Sequence, residues 1–442
     1  MQDDLIIRES GVDAMKLAKD ELEMLEGRQG SARQKAMELL VKYGTGLGAE
    51  RFADTNNVTI NLGVGPSAEV YRKVVPSMDI DELASKFFLS SEERVVVDKL
   101  KAFTTTNAYF RDYAYPDMQQ GGKELSDIVY KIEKYCERIG AVTTDTCVPY
   151  QCGNIPMKGE VCAWSESSAI AYCNSVLGGR TNIEGFQSGF ASAVTGKTPL
   201  AGMLLDENRK GSVIVNVEVE MNSVQDWSLL GYFTGPQVGL EVPVYSNFKN
   251  TPDFYQVMSL CAAGIASGSI VMFHLLGVTP EAATLEMATA GKKGQDLRVV
   301  NYGVAERQKT YEFLNHAKAD KVDIVALGCP HYSLTRLTTL SRLLEGKKVH
   351  TNTALYVFTG RMQKAMADRM GLSEIIEKAG GIILEDSCAQ ILDLDPSDIL
   401  ASDSAKLVHY VPGTTGVKST WFGTMEECVE AAITGKWAGG ML

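Results

Sequence analysis

None of the nine cysteines in these 442 residues forms a CxxC pair, which excludes zinc ribbons and thioredoxin-like redox motifs, because both need two sulfurs one turn apart. The basic residues form no run longer than a pair, as at Lys292-Lys293 and Lys347-Lys348, and the formal net charge is −12. Nucleic acid is thereby excluded as a partner expected from charge. An acidic exterior still permits an anionic substrate, because a pocket of Arg, Lys and helix N-termini is positive locally. The first ten residues, MQDDLIIRES, put two acids where an export signal needs a basic start and an apolar run. The most apolar stretch, Cys261 to Val278, is broken by Ser267, Ser269, His274 and three glycines. It reads as a buried helix running into a buried strand, not as a membrane span. Proline is sparse and no fixed-period repeat or low-complexity linker occurs. A cytoplasmic chain with reduced thiols is expected, with no membrane and no nucleic acid among its partners.

What is present is ordinary core-forming material: 45% apolar and 22% charged residues. At this length two or three lobes sharing interfaces are expected, folded throughout. Two helices are expected between Ala14 and Tyr43, with a turn at Gly27 to Gly30 and Ser31 as the cap of the second. Strand-like pieces follow at Val58 to Leu62 and Phe103 to Asn107, then a charged helix from Lys123 to Ile139 and a strand from Ala141 to Thr144. A helix from Ser165 to Leu177 ends at Gly178-Gly179. The second half alternates strands (Val213 to Val219, Ser269 to His274, Asp323 to Leu327, Ala354 to Thr359, Gly381 to Glu385) with helices (Phe254 to Ser267, Gln308 to Ala319, Leu334 to Leu344, Met362 to Gly371, Met425 to Thr434). Such alternation implies α/β layers around mostly parallel sheets, with ligands beyond the carboxyl ends of strands.

Three cysteines each follow a strand-like run: Cys147 after AVTTDT, Cys329 after DIVALG, Cys388 after GIILEDS. Any one alone is ordinary core packing. Together they offer three thiolates to an iron-sulfur cluster, leaving one iron site open as a Lewis acid. His331, two residues past Cys329, is a candidate general acid, and Ser333 beside it, a cap for the helix from Leu334, is expected with it among the catalytic residues. Ser165, Glu166, Ser167 and Ser168 open a helix whose N–H groups suit a carboxylate or phosphate. Arg180 offers a bidentate fork, Asn182 a further polar contact, and Lys406 an anion contact on a polar loop. Asp206 to Arg209 reads as a turn and His274 as a core histidine. Cys136, Cys162, Cys173, Cys261 and Cys428 read as packing, and Cys152 shares a loop with Cys147.

These segments in series, CVPYQCGNIPMKGE, AWSESSAIAYCNSVLGGRTNIEG, LLDENR, GSIVMFHLLGVTPEA, GCPHYS, LEDSC and SAKLVHY, resemble the large subunit of aconitase X enzymes from about Leu17 to Trp437. The resemblance implies an aconitase-like α/β architecture of several lobes around a central cleft: residues 1–16 an N-terminal extension, 17–440 the catalytic region. It implies a dehydratase acting on cis-3-hydroxy-L-proline or a related hydroxy acid, or alternatively on phosphomevalonate. The cofactor is expected to be a 2Fe–2S or 4Fe–4S cluster or a mononuclear iron on Cys147, Cys329 and Cys388. The base is expected to be a serine of a separate small swivelling subunit. GGRTN stands where GARTN is more typical, and Tyr332 follows the cysteine-proline-histidine motif. A rival of another class is a non-catalytic iron-sulfur or metal-binding sensor, and a third reading is a cluster-free enzyme with one bound metal.

Overall fold

The computed structural model describes residues 5–6, 15–62, 78–107, 111–291 and 296–440. Most of the expected extension 1–16, the segment from Gly63 to Ser77 and the Lys292-Lys293 pair lie outside the described residues. Strand β1 (Leu5–Ile6) pairs antiparallel with β2 (Lys16–Leu17). The chain then builds a first core from the helices Ser31–Gly46, Ile80–Phe88, Gly122–Ile139 and Phe186–Thr195. These cover two small sheets: β3 (Phe52–Asp54) pairs with β6 (Lys197–Pro199), and β4 (Asn57–Ile60) runs parallel to β5 (Phe103–Thr106). Gly122–Ile139 is amphipathic, burying Leu125, Ile128, Val129, Ile132 and Ile139.

The second unit is a parallel sheet in the order β10-β7-β8-β9, comprising β7 (Val213–Val217), β8 (Pro243–Ser246), β9 (His274–Leu275) and β10 (Arg298–Tyr302). The third is a parallel sheet in the order β13-β12-β11-β14-β15: β11 (Ile324–Tyr332), β12 (Ala354–Thr359), β13 (Gly381–Glu385), β14 (Ile399–Ser402) and β15 (Ser419–Phe422). This is the α/β class with mostly parallel sheets expected from the alternation. The units do not stand apart. A cluster of Leu229, Tyr232 and Ala263 with Tyr311, Leu314, Ala405, Val408 and Phe422 seals the second against the third, while Gln120 Nε2 donates to the carbonyls of Leu392 and Thr414 at 3.1 and 3.0 Å.

Several local expectations are corrected. Gly30, not Ser31, is the N-cap of Ser31–Gly46, and Ser31 is its first helical residue. Ala141 to Thr144 forms only an isolated bridge, Val142 to Thr105. The helix Val224–Val238 was not legible as one, since it contains Gly231, Gly235 and Pro236. Its start is fixed by a reciprocal cap, Ser223 Oγ accepting from the Asp226 N–H at 3.1 Å and Asp226 from the Ser223 N–H at 2.9 Å. Its glycines allow close packing on Phe254–Gly268: a Cβ on Gly268 would lie 2.1 Å from the Gly235 carbonyl carbon. Among the described residues no helix is long and apolar enough to cross a membrane.

Candidate active site

Strand β11 does not run straight into its helix. Its register against β12 shifts between Leu327 and Tyr332, at Gly328, which has φ +102 and where a Cβ would lie 2.2 Å from the Phe358 carbonyl oxygen. Only glycine fits this irregularity, which immediately precedes Cys329 near the carboxyl end of β11. Cys388 follows three residues after the carboxyl end of β13, and Cys147 comes in on the loop from the first unit. The three line one space: a small cavity of about 20 Å³ is walled by Cys147, Cys329 and Cys388 together with Glu166, Gly328, His331, Ala389, Gln390 and Lys406.

Lys406 is not on a loop. Ser404 Oγ accepts from the Leu407 N–H at 3.1 Å and starts the helix Ala405–Thr414, leaving Lys406 in its first turn and buried. A cation there opposes the helix dipole, a local cost that points to function. Its Nζ donates to Glu166 Oε1 at 2.9 Å, Ser167 Oγ at 3.0 Å and Ser168 Oγ at 3.5 Å. Burial works to lower the Lys406 pKa, but the Glu166 carboxylate and the thiols of Cys329 and Cys147 override it and hold the ammonium well above its ordinary range.

His331 ties the loops together. Its Nε2–H donates to the Ser387 carbonyl at 2.6 Å, so Nδ1 accepts from the Thr146 hydroxyl at 3.1 Å. Thr146 and Ser387 each immediately precede a cavity cysteine, and the His331 backbone N–H donates to Cys147 Sγ at 3.2 Å. Burial pushes the imidazole down to about 4. With both ring nitrogens hydrogen-bonded, His331 bridges the two loops that carry Cys147 and Cys388.

Other expected site residues lie elsewhere. Ser333 caps Leu334–Leu344 by accepting from the Arg336 N–H at 3.2 Å and pairs with the Tyr255 hydroxyl at 2.8 Å, outside the cavity. Ser165 donates to the Thr59 carbonyl at 2.8 Å. The helix start at Ser167 is closed by Glu166, whose side chain accepts from the Ser168 N–H at 3.4 Å, so the anion at that terminus is the chain's own. Arg180 spends its fork on the Leu204 carbonyl, at 2.8 Å, and on Asp206. Asn182 binds the Ala201 carbonyl and the Met203 N–H at 3.0 and 2.8 Å. His274 is a core residue, with Nε2 donating to the Arg209 carbonyl at 2.8 Å. Cys136, Cys162, Cys173, Cys261 and Cys428 are buried, and none of these five lines the cavity.

The donor set suits a metal held by sulfur. All nine cysteines are free, and burial pushes the Cys388 thiol up to about 12 and the Cys147 and Cys329 thiols above their ordinary value. Buried thiols become thiolates only beside positive charge, which Lys406 supplies and a metal adds to. They wall the cavity instead of closing on one point: among the described residues no three His, Cys, Asp or Glu side chains stand grouped to share a single ion.

Comparison with known proteins places the whole arrangement. Three family models cover the chain in order: the aconitase X first domain over residues 14–207, the second over 211–312 and the third over 322–434. The chain belongs to the aconitase X family. Among relatives, the phosphomevalonate dehydratase large subunit of Thermococcus kodakarensis is 35% identical over 85% of this chain and 89% of its own length, and that of Methanothermobacter thermautotrophicus is 32% identical over 93% and 97%. The cis-3-hydroxy-L-proline dehydratase of Hypocrea jecorina is 30% identical over 96% of this chain but only 69% of its own length. The crystal structure of the holo-form of Thermococcus kodakaraensis aconitase X matches with a TM-score of 0.80 at 32% identity, covering 95% of this chain and all of that one. The relatives are named dehydratases, so this aconitase X chain is a carbon–oxygen hydro-lyase by type. Sequence reasoning missed Gly328 and Gln390, both of which line the cavity.

Proposed function

We propose that this chain is the metal-carrying large subunit of a dehydratase that removes water from a small hydroxylated carboxylic acid, cis-3-hydroxy-L-proline or a related hydroxy acid. The observation that carries the reading is the convergence of Cys147, Cys329 and Cys388 on one cavity with the buried pair Lys406–Glu166. The three thiolates would hold an iron-sulfur centre, which when bound supplies the Lewis acid for the departing hydroxyl. Lys406 receives the substrate carboxylate, and Glu166, Ser167 and Ser168 aim its ammonium at the cavity. His331 holds the Thr146 and Ser387 loops so that the flanking cysteines keep their separation.

A cavity of about 20 Å³ has room for a water, not for a substrate. Of its lining residues, His331 has both ring nitrogens hydrogen-bonded and Glu166 is paired with Lys406. A second chain, a small swivelling subunit carrying a base serine, completes the chamber in this reading. The match to proteins named large subunits over 89% and 97% of their lengths supports it. Phosphomevalonate is the second substrate reading, supported by the 35% and 32% identity to proteins named phosphomevalonate dehydratase large subunits.

The test is anaerobic reconstitution with iron and sulfide, addition of candidate small subunits, and chromatographic assay of cis-3-hydroxy-L-proline and phosphomevalonate. Loss of one substrate only when both subunits are present supports the reading and selects the substrate. Iron uptake with no turnover of any hydroxy acid across such partners would favour a sensor, and no iron uptake would remove the cysteine-held centre.

A further inference from the structure

Two of the cysteine loops are built alike. Asp145-Thr146-Cys147 and Asp386-Ser387-Cys388 each begin with an aspartate in the left-handed region, at φ +43 and +58, a conformation that costs a non-glycine residue energy unless its surroundings hold it. Both are held by one side chain. Arg361 opens the helix Arg361–Arg369 directly after β12 and Gly360. Its backbone N–H donates to Asp386 Oδ1 at 2.8 Å and its Nε–H to Asp386 Oδ2 at 2.6 Å. Its Nη2 donates to Asp145 Oδ2 at 2.6 Å and to Glu133 Oε1 at 3.0 Å.

Asp145 belongs to the first family domain and Asp386 to the third, so the guanidinium spans the seam across which Cys147 and Cys388 face each other. His331 crosses the same seam one residue later on each loop, at Thr146 and Ser387. The planar fork of arginine is the one side chain that bonds two carboxylates at fixed spacing, whereas lysine offers a point charge. Arg361 itself does not line the cavity.

We propose that Arg361 is a positioning residue for the cysteine centre: by holding Asp145 and Asp386 together it fixes the separation of Cys147 from Cys388, and with it how firmly the thiols retain iron. This rests on the reading that the three thiols hold iron. Partners one shell out from metal ligands typically change metal affinity about tenfold to a hundredfold.

The test follows iron release to excess bathophenanthroline from the anaerobically reconstituted full chain, with a melting temperature recorded for each protein. Arg361→Lys keeps the charge but loses the two-carboxylate span. Glu133→Gln weakens a bond of the same guanidinium on a helix that carries no cavity cysteine. Iron release about tenfold faster in Arg361→Lys, with Glu133→Gln within about twofold of wild type, supports the proposal. Equal release from Arg361→Lys and wild type overturns it, as do rates in both variants that track melting temperature alone. If Arg361→Lys does not fold, Asp386→Asn, whose asparagine tolerates the left-handed backbone, carries the test with the same expected acceleration. A wild-type chain that takes up no iron removes the underlying reading instead.

Discussion

Lys406 and Glu166 meet as a buried ion pair, Nζ to Oε1 at 2.9 Å, each side chain only 8% exposed. Removing one partner of such a pair strands the other charge away from water, at a cost of about 3–5 kcal/mol. Lys406→Met and Glu166→Gln are each expected to lower unfolding free energy by about that much in urea titrations. The double variant should recover most of the loss, because no uncompensated charge remains. Lys406→Met and the double variant lose the carboxylate contact and are expected not to turn over substrate, whereas Glu166→Gln keeps the ammonium and loses only one of the groups that aim it. A single Lys406→Met variant that keeps full activity would remove Lys406 from the site.

Arg180 illustrates where sequence and structure part. Its position after two glycines in GGRTN suggests a free fork, yet the guanidinium already binds Asp206, whose side chain is 74% exposed. Exposed pairs of this kind contribute about 0–1 kcal/mol. Arg180→Ala is therefore expected to leave kcat/KM within about twofold and stability within about 1 kcal/mol. A hundredfold loss in steady-state kinetics of the two-subunit enzyme would return Arg180 to the substrate.

The parallel α/β plan and the three cysteines were legible because they are local: strand-like runs ending in cysteine, alternating with helical periodicity. What escaped was set by tertiary packing. The polar run Ser402-Asp403-Ser404 joins β14 to the helix Ala405–Thr414 and reads as a loop that includes Lys406, whereas the Ser404 cap and burial of Leu407, Val408 and Val411 start the helix before it. The partners of Arg361 are 216 and 25 residues away in sequence, and those of Arg180 are fixed by a turn that reads as solvated. A charged residue shows its type in sequence, not which opposite charge reaches it first.

Gly328 makes a sharp stability prediction. With φ +102 and a would-be Cβ 2.2 Å from the Phe358 carbonyl oxygen, alanine there combines backbone strain with a clash against main chain that cannot move aside. Gly328→Ala is expected to cost more than about 3 kcal/mol, seen as insoluble protein or a large fall in urea midpoint. A folded variant of wild-type stability would show that β11 reaches Cys329 by another path.

Glu184 gives the chain a pH dependence away from the cysteines. It is buried, neither of its carboxyl oxygens meets a hydrogen-bond partner among the described residues, and burial raises its pKa to about 7. The folded chain keeps this proton up to about pH 7, while the unfolded chain releases it near the ordinary glutamate value of 4.5. Between those values the unfolded state binds fewer protons, so this group's contribution to stability falls as pH rises through the window and levels off above it. The full penalty is about 3 kcal/mol. Glu184→Gln, which never ionises, is expected to exceed wild-type stability by roughly that amount at pH 8 and to match it near pH 4. Urea midpoints at the two pH values decide it: an advantage of the glutamine variant that is equal at both would mean Glu184 is ionised in the folded chain, with partners that stabilise its charge.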